Sequence, residues 1–229
     1  MAEIVITIDG PAGVGKTTVA KHLANRLGFT YVDTGAMYRA LALIAQEINV
    51  TPEHEEMLGK LAQELPLSFK QDGMKFSVFL DGRDVSEEIR SPQIGMLAST
   101  ISKLLIVRKG LWELQRKLAQ AAQKAIFEGR DMGTVVFPDA VAKFFLTASP
   151  EVRAKRRWKQ LITSGKEVTY EEIYRSLLER DKQDMEREIA PLKPAPDAIV
   201  IDTSNLGIES VVNKMYQHIL NKVGGVSNG

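Results

Sequence analysis

The chain has 229 residues, 44% hydrophobic and 26% charged, with a formal net charge of +1. This suits one large domain or a core with insertions, and it offers no global basic footprint for nucleic acid, although net charge does not report local arginine clusters. The absence of cysteine excludes disulfides, thiol catalysis and Cys-based zinc sites, and His22, His54 and His218 are too dispersed for a metal-ligand pattern.

No apolar run approaches a membrane span, and the N-terminus lacks a signal-peptide pattern. The expectation is a cytoplasmic protein with no membrane partner.

The first element is the β-branched run Ile4-Val5-Ile6-Thr7-Ile8, which predicts a buried strand. Gly10-Pro11-Ala12-Gly13-Val14-Gly15-Lys16-Thr17 follows and fits G-x-x-x-x-G-K-[ST], the phosphate-binding P-loop pattern. Val19, Ala20, Leu23, Ala24 and Leu27 then share one helix face, and Gly28 is a stop signal. Strand, glycine loop and helix form the context the motif needs. The loop N–H groups and the helix N-terminus offer partial positive charge to an anion. In this pattern Lys16 reaches the β- and γ-phosphates of a nucleotide from a solvated loop, and the Thr17 hydroxyl holds Mg²⁺.

Phe29–Val32 predicts a second strand, and Asp33-Thr34-Gly35 starts a helix running to about Ile48. A further amphipathic helix is predicted over 53–65. Leu67 and Phe69, then Phe76, Val78 and Leu80, alternate with polar residues around turn signals at Gln71-Asp72-Gly73 and Asp81-Gly82. They predict an antiparallel meander inserted over 64–90. Leu97, Ile101, Leu104 and Leu105 predict one helix face, and Leu111, Leu114, Leu118, Ala121 and Ala122 another. Ala125-Ile126-Phe127 predicts a strand ending at Glu128-Gly129-Arg130-Asp131, followed by a turn at Met132-Gly133. Strands at 141–146 and 198–201 and helices at 170–188 and 207–222 complete the pattern.

The predicted fold is α/β: a parallel sheet of about five strands with helices on both faces, the inserted β subdomain and a helical lid. Residues 1–63 and 91–224 form the core, with the lid at about 153–187, and residues 225–229 are expected to be a disordered tail. Ligands bind at the carboxyl ends of such strands. The arginines gather there: Arg39, Arg108, Arg130, the trio Arg153, Arg156 and Arg157, and Arg180 with Arg187. Their planar forks suit phosphate. Arg180, Asp184 and Arg187 share one helix face. Asp131 can accept a hydrogen bond from a ligand or hold a water of the Mg²⁺ shell.

The chain resembles the bacterial cytidylate kinase family over nearly its whole length. The match is carried by Ile8–Lys16, Asp33–Arg39, Gly82–Ser86, Gly129–Ala140, Arg180-Asp181 through Arg187, and Ala190-Pro191-Leu192. The resemblance implies phosphorylation of CMP and dCMP by ATP, with Mg²⁺; a monomer with these nucleotides as its partners is expected. It implies that Gly10, Pro11, Ala12, Gly13, Val14, Gly15, Lys16, Thr17 and Thr18 wrap the ATP phosphates. Thr34, Tyr38, Arg39, Ser99, Arg108, Arg130, Asp131, Arg180, Asp184 and Arg187 would line the acceptor pocket. Within it Ser99, Arg108 and Asp131 read cytosine, Arg39, Arg130 and Arg187 hold the phosphate, Thr34 and Asp184 contact the ribose, and Arg180 lies near sugar and phosphate. Arg153, Arg156 and Arg157 are lid residues closing over ATP, and with Lys16 and Arg187 they make the catalytic set. The rivals are a P-loop kinase of UMP, AMP or shikimate, and a GTP-hydrolysing switch. The latter needs Asn-Lys-x-Asp, and Asn213-Lys214 and Asn221-Lys222 lack the Asp.

Overall fold

The structure is a computed structural model that describes residues 3–226. At its centre is β1 (Ile4–Asp9), flanked in parallel by β6 (Lys124–Gly129) and β7 (Ala142–Thr147). Parallel β2 (Thr30–Asp33) and β8 (Ile199–Asp202) close the two edges, giving the order β2-β6-β1-β7-β8. Successive side chains of a strand point to opposite faces. Val5, Ile6, Thr7 and Ile8 are all buried, so both faces of β1 are covered. That is why β1 reads as a continuous apolar run rather than an alternation. Because the strands are parallel, Asp9, Asp33, Gly129, Thr147 and Asp202 end on one side, and the site lies there.

Two groups of helices cover the sheet. One pairs α1 (Lys16–Leu27) with α8 (Ile208–Val226). The other packs α2 (Thr34–Glu47), α3 (Glu55–Gln63), α4 (Pro92–Ile101) and α5 (Leu105–Ala122) on one another. The expected continuous face through Leu97, Ile101, Leu104 and Leu105 is broken. Helix α4 ends at Ile101, and Leu104 is an extended N-cap for α5, which turns Leu105 out to solvent. Three non-helical residues, Ser102, Lys103 and Leu104, shift the phase of a periodic pattern, and composition alone does not reveal them.

The inserted sheet is β3 (Leu67–Asp72), β4 (Lys75–Leu80) and β5 (Arg83–Asp84), antiparallel throughout. Asp81 and Gly82 both have positive φ, as the tight turn between β4 and β5 requires. Phe76 meets Tyr31 of β2 edge-on at 4.6 Å and anchors the insertion to the core. After β6 the chain forms a π-helical turn, Met132–Val136, instead of a simple turn: the N–H groups of Val136 and Phe137 reach back five residues to the carbonyls of Asp131 and Met132. Helices α6 (Pro150–Thr163) and α7 (Tyr170–Glu186) are joined through Gly165, and a Thr169/Glu172 capping box starts α7. Helix α8 continues to Val226, beyond the expected end at 222 and into the expected tail; residues 227–229 lie outside the described residues.

Candidate active site

The loop between β1 and α1 turns sharply under the end of the sheet. Gly10 has a φ of 145°, and a Cβ there would lie 2.2 Å from the carbonyl oxygen of Leu146. Only glycine lets the chain pass so close. Lys16 differs from the expected solvated side chain. It is buried, and its ammonium donates to the carbonyls of Gly10 (2.7 Å) and Pro11 (2.8 Å). Burial, and then the Arg130 charge, hold its pKa well below the ordinary lysine value. A compact charge satisfied by loop carbonyls is poised to exchange them for phosphate oxygens. The Thr17 hydroxyl donates to Glu128 Oε1 at 2.7 Å. Glu128 is a buried acid at the end of β6 whose carboxyl is pushed up to about 7 by burial and then by the Asp33 carboxylate. Its Oε2 has no partner among the described residues. A hydroxyl beside a half-satisfied carboxylate is a donor set that suits a hard divalent cation such as Mg²⁺.

On the β2 side, Asp33 caps α2 by accepting from Ala36 N–H at 2.9 Å, and its other oxygen accepts from Arg39 at 3.1 Å. This cap starts the helix that carries Thr34, Tyr38 and Arg39. Thr34 is buried and donates to the Glu128 carbonyl at 2.7 Å. The Tyr38 hydroxyl is buried with no partner among the described residues, and the Arg108 guanidinium lies 5.7 Å from its ring centre.

Arg108 and Asp131, each 3% exposed, form a buried ion pair at 3.0 Å. The same carboxylate oxygen, Oδ2, also accepts from the Trp112 indole N–H at 3.1 Å. Asp131 Oδ1 is bonded to no described residue. From α7, Asp184 accepts from Arg130 at 2.9 Å and lies 3.7 Å from Arg187. Burial by itself would raise the Asp184 carboxyl, but Arg130, Arg180 and Arg187 hold it below its ordinary value. Arg187 also donates to the Ala190 carbonyl at 2.6 Å. Arg180 has no ion-pair partner among the described residues and lies in the field of Arg130, Arg39 and Arg157. Three guanidinium nitrogens here, Arg39 Nε, Arg108 Nε and Arg187 Nη2, are buried with no acceptor among the described residues. Unmade bonds of this kind are costly, and an anionic ligand would complete them.

Three expected residues stand elsewhere. Ser99 is an exposed residue of α4, and among the described residues its side chain makes no hydrogen bond to Arg108 or Asp131, which bond each other. Arg153, expected in a closing lid, is buried. It bridges Asp181 of α7 at 2.6 Å and donates to the carbonyls of Ala148 and Ala12, so it clasps the P-loop to α6 and α7. Arg156 donates to the hydroxyl (3.0 Å) and carbonyl (2.6 Å) of Thr203, which itself donates to the Val14 carbonyl at 3.1 Å. Of the trio, only Arg157 is exposed, with a single 3.5 Å contact to Gln160.

Sequence reasoning missed Glu128, Trp112, Asp9, Asp181 and Thr203. Glu128 carried a local signal, a charge closing the apolar strand Ala125–Phe127, and Asp9 and Asp181 lie inside matched stretches without an assigned role. The others depend on partners from 19 to 189 residues away.

The Cytidylate kinase family model matches residues 6–221. A cytidylate kinase from Thermosipho melanesiensis is 51% identical over 217 residues, covering 95% of this chain and 97% of that protein. One from Geobacter sp. is 45% identical over 226 residues, covering 99% and 97%. Among solved structures, an uncharacterized protein from Eubacterium ventriosum shares the fold, with a TM-score of 0.52 at 13% identity over 95% of this chain and 98% of that one. A match that runs from β1 into the last helix, at close to half identity over the full length of such relatives, means that this chain belongs to the cytidylate kinase family.

Proposed function

We propose that the protein transfers the γ-phosphoryl group of ATP to CMP and dCMP. The observation that carries this reading is the half-used carboxylate of Asp131. Arg108 and Trp112 saturate Oδ2 from behind and leave Oδ1 to accept from a ligand donor. Cytosine presents an amino donor at N4, where uracil presents an acceptor. The carboxylate beside Thr17 is Glu128, which leaves Asp131 to the base rather than to Mg²⁺.

The remaining roles follow from position. The P-loop residues Gly10–Thr18 wrap the ATP phosphates, and Lys16 exchanges its loop carbonyls for β- and γ-oxygens. Arg39, Arg130 and Arg187 hold the acceptor phosphate, which fills the unmade bonds of Arg39 Nε and Arg187 Nη2. Thr34 and Asp184 meet the ribose, with Arg180 beside sugar and phosphate. An oxygen of the CMP phosphate attacks the γ-phosphorus, and the bond to the bridging oxygen breaks as the new one forms, giving CDP and ADP. Little covalent chemistry falls to the protein; it aligns the groups and offsets charge. Thr17 and Glu128 would hold Mg²⁺, which when bound neutralises phosphate charge.

Arg157 and the segment to Gly165 act as the mobile part of a lid, while Arg153 and Arg156 brace it. The meander at 64–90 belongs to the subdomain that closes on the acceptor, and Ser99 reaches the base in that closed form. Free nucleotide substrates support a cytoplasmic setting. The reading is tested by kcat/KM for CMP, dCMP, UMP, AMP and shikimate with ATP. CMP and dCMP should lead UMP by at least roughly a hundredfold. A preference for any other acceptor would overturn the assignment.

A further inference from the structure

Asp9 is the last residue of β1, and Gly10 of the P-loop follows it. Its carboxylate is almost wholly buried, 4% exposed, and no ion pair reaches it among the described residues. A carboxylate in such a place must be hydrogen-bonded or it destabilises the fold. Both its oxygens accept backbone N–H groups: Oδ1 from Met132 at 3.0 Å and Oδ2 from Gly133 at 2.8 Å.

These two N–H groups open the π-helical turn Met132–Val136, whose N-cap residue is Asp131. An aspartate at an N-cap ordinarily turns its side chain back to bond the first free N–H groups of its own helix. Asp131 makes no such bond. Asp9, from the neighbouring strand, takes those donors instead. The Asp131 carboxylate is thereby free to turn toward Arg108 and Trp112. The close approach depends on the missing side chain at Gly133. A Cβ there would lie 2.9 Å from Thr7 Oγ1 and 3.4 Å from Asp9 Oδ2. Thr7 and Asp9 lie two apart on β1 and so share a face.

We infer that Asp9 is a positioning residue of the acceptor site: by capping the turn after β6 from the adjacent strand, it fixes where Arg130 and Asp131 stand relative to the P-loop. The inference rests on the reading that Arg130 and Asp131 bind the acceptor nucleotide. It joins the donor and acceptor halves through one carboxylate, since the same residue ends the strand that feeds the P-loop.

The test is Asp9→Asn, which keeps the shape but sets an amide N–H₂ against one of the two backbone donors. KM for CMP should rise at least about tenfold, as loss of a charged hydrogen bond implies, while KM for ATP stays within about threefold. Hydrogen exchange of the Met132 and Gly133 amides in the unliganded protein should speed up. Gly133→Ala, with Asp9 intact, should lift the turn off the carboxylate and give the same split; it also serves if Asp9→Asn fails to fold. Asp131→Asn is measured beside them. If it leaves the cytosine-to-uracil ratio unchanged while Asp9→Asn still raises KM for CMP, base reading by Asp131 falls and the positioning role of Asp9 stands. If Asp9→Asn and Gly133→Ala lower the melting temperature but change both KM values alike, Asp9 is only structural and the inference is overturned.

Discussion

Asp131→Asn changes one atom of a carboxylate that three groups compete for. In the native site Oδ2 accepts from Arg108 at 3.0 Å and from Trp112 at 3.1 Å. Both neighbours are donors, so the asparagine must keep its amide oxygen there. Its N–H₂ is thereby forced into the Oδ1 position that faces the base. CMP then loses a charge-assisted hydrogen bond worth about 1.5–3 kcal/mol, on the order of 10- to 100-fold in kcat/KM. UMP gains a neutral bond to its O4, worth about 0.5–1.5 kcal/mol, or roughly 2- to 10-fold. The ratio of the two specificities should shrink by about 20- to 1,000-fold. The substitution also removes the ionic partner of a guanidinium that is 3% exposed. Breaking a buried pair outright costs about 3–5 kcal/mol; the hydrogen bond survives here, so that figure is a ceiling. Steady-state kinetics with CMP and UMP, run well below a melting temperature measured for each protein, separates the two effects. If both substrates lose activity equally and the ratio is unchanged, Asp131 does not read the base and the reasoning fails.

Four further outcomes are expected. Lys16→Met should lower kcat by at least about 10²–10³, because a charge aimed at the transferring group is lost. It should also lower the melting temperature slightly, since Lys16 is buried on two carbonyls; near-normal turnover would remove the P-loop assignment. Arg153→Ala should destabilise the fold in urea by about 3–5 kcal/mol by leaving buried Asp181 unpaired, whereas Arg157→Ala should change stability by less than about 0.5 kcal/mol and lower kcat instead. Hydrogen exchange across 157–170 should slow with an ATP analogue and CMP together, and unchanged protection there would rule out a mobile lid. The Asp9 carboxyl is raised from 3.8 to about 6 by burial, with the Met132 and Gly133 N–H groups and Lys16 opposing and Asp131 adding to the rise. The folded state therefore keeps a proton that the unfolded chain has released. The Asp9 contribution should fall as pH rises from about 4 to about 6 and stay flat above. Wild type minus Asp9→Asn, followed by thermal unfolding against pH, should show that decline; a rising or flat difference would contradict it.

Much of the fold was legible because its signals are local. The β1 run, the glycine spacing of residues 10–17 and the helix face from Val19 to Leu27 lie side by side in the chain, and backbone sterics plus burial periodicity are enough to read them. The meander was legible for the same reason, through alternation at Phe76, Val78 and Leu80. The arginines near strand ends were found because a parallel sheet collects those ends on one side. The arginine trio falls on α6, the helix expected for it after the strand at 141–146.

What the sequence by itself determined is a phosphate-binding loop on a parallel sheet, a supply of arginines near it, and the motifs of one kinase family. Tertiary structure decided how those charges divide their work. Arg153 and Arg157 are four residues apart on one helix, yet one clasps Asp181 in the interior and the other faces solvent. Thr17 finds Glu128 across 111 residues, Arg130 finds Asp184 across 54, and Asp9 takes the cap that Asp131 would otherwise have made for itself. A side chain's chemistry is fixed by its type, but its partner, its burial and hence its protonation depend on distances through space, which chain spacing does not encode once the sheet has folded.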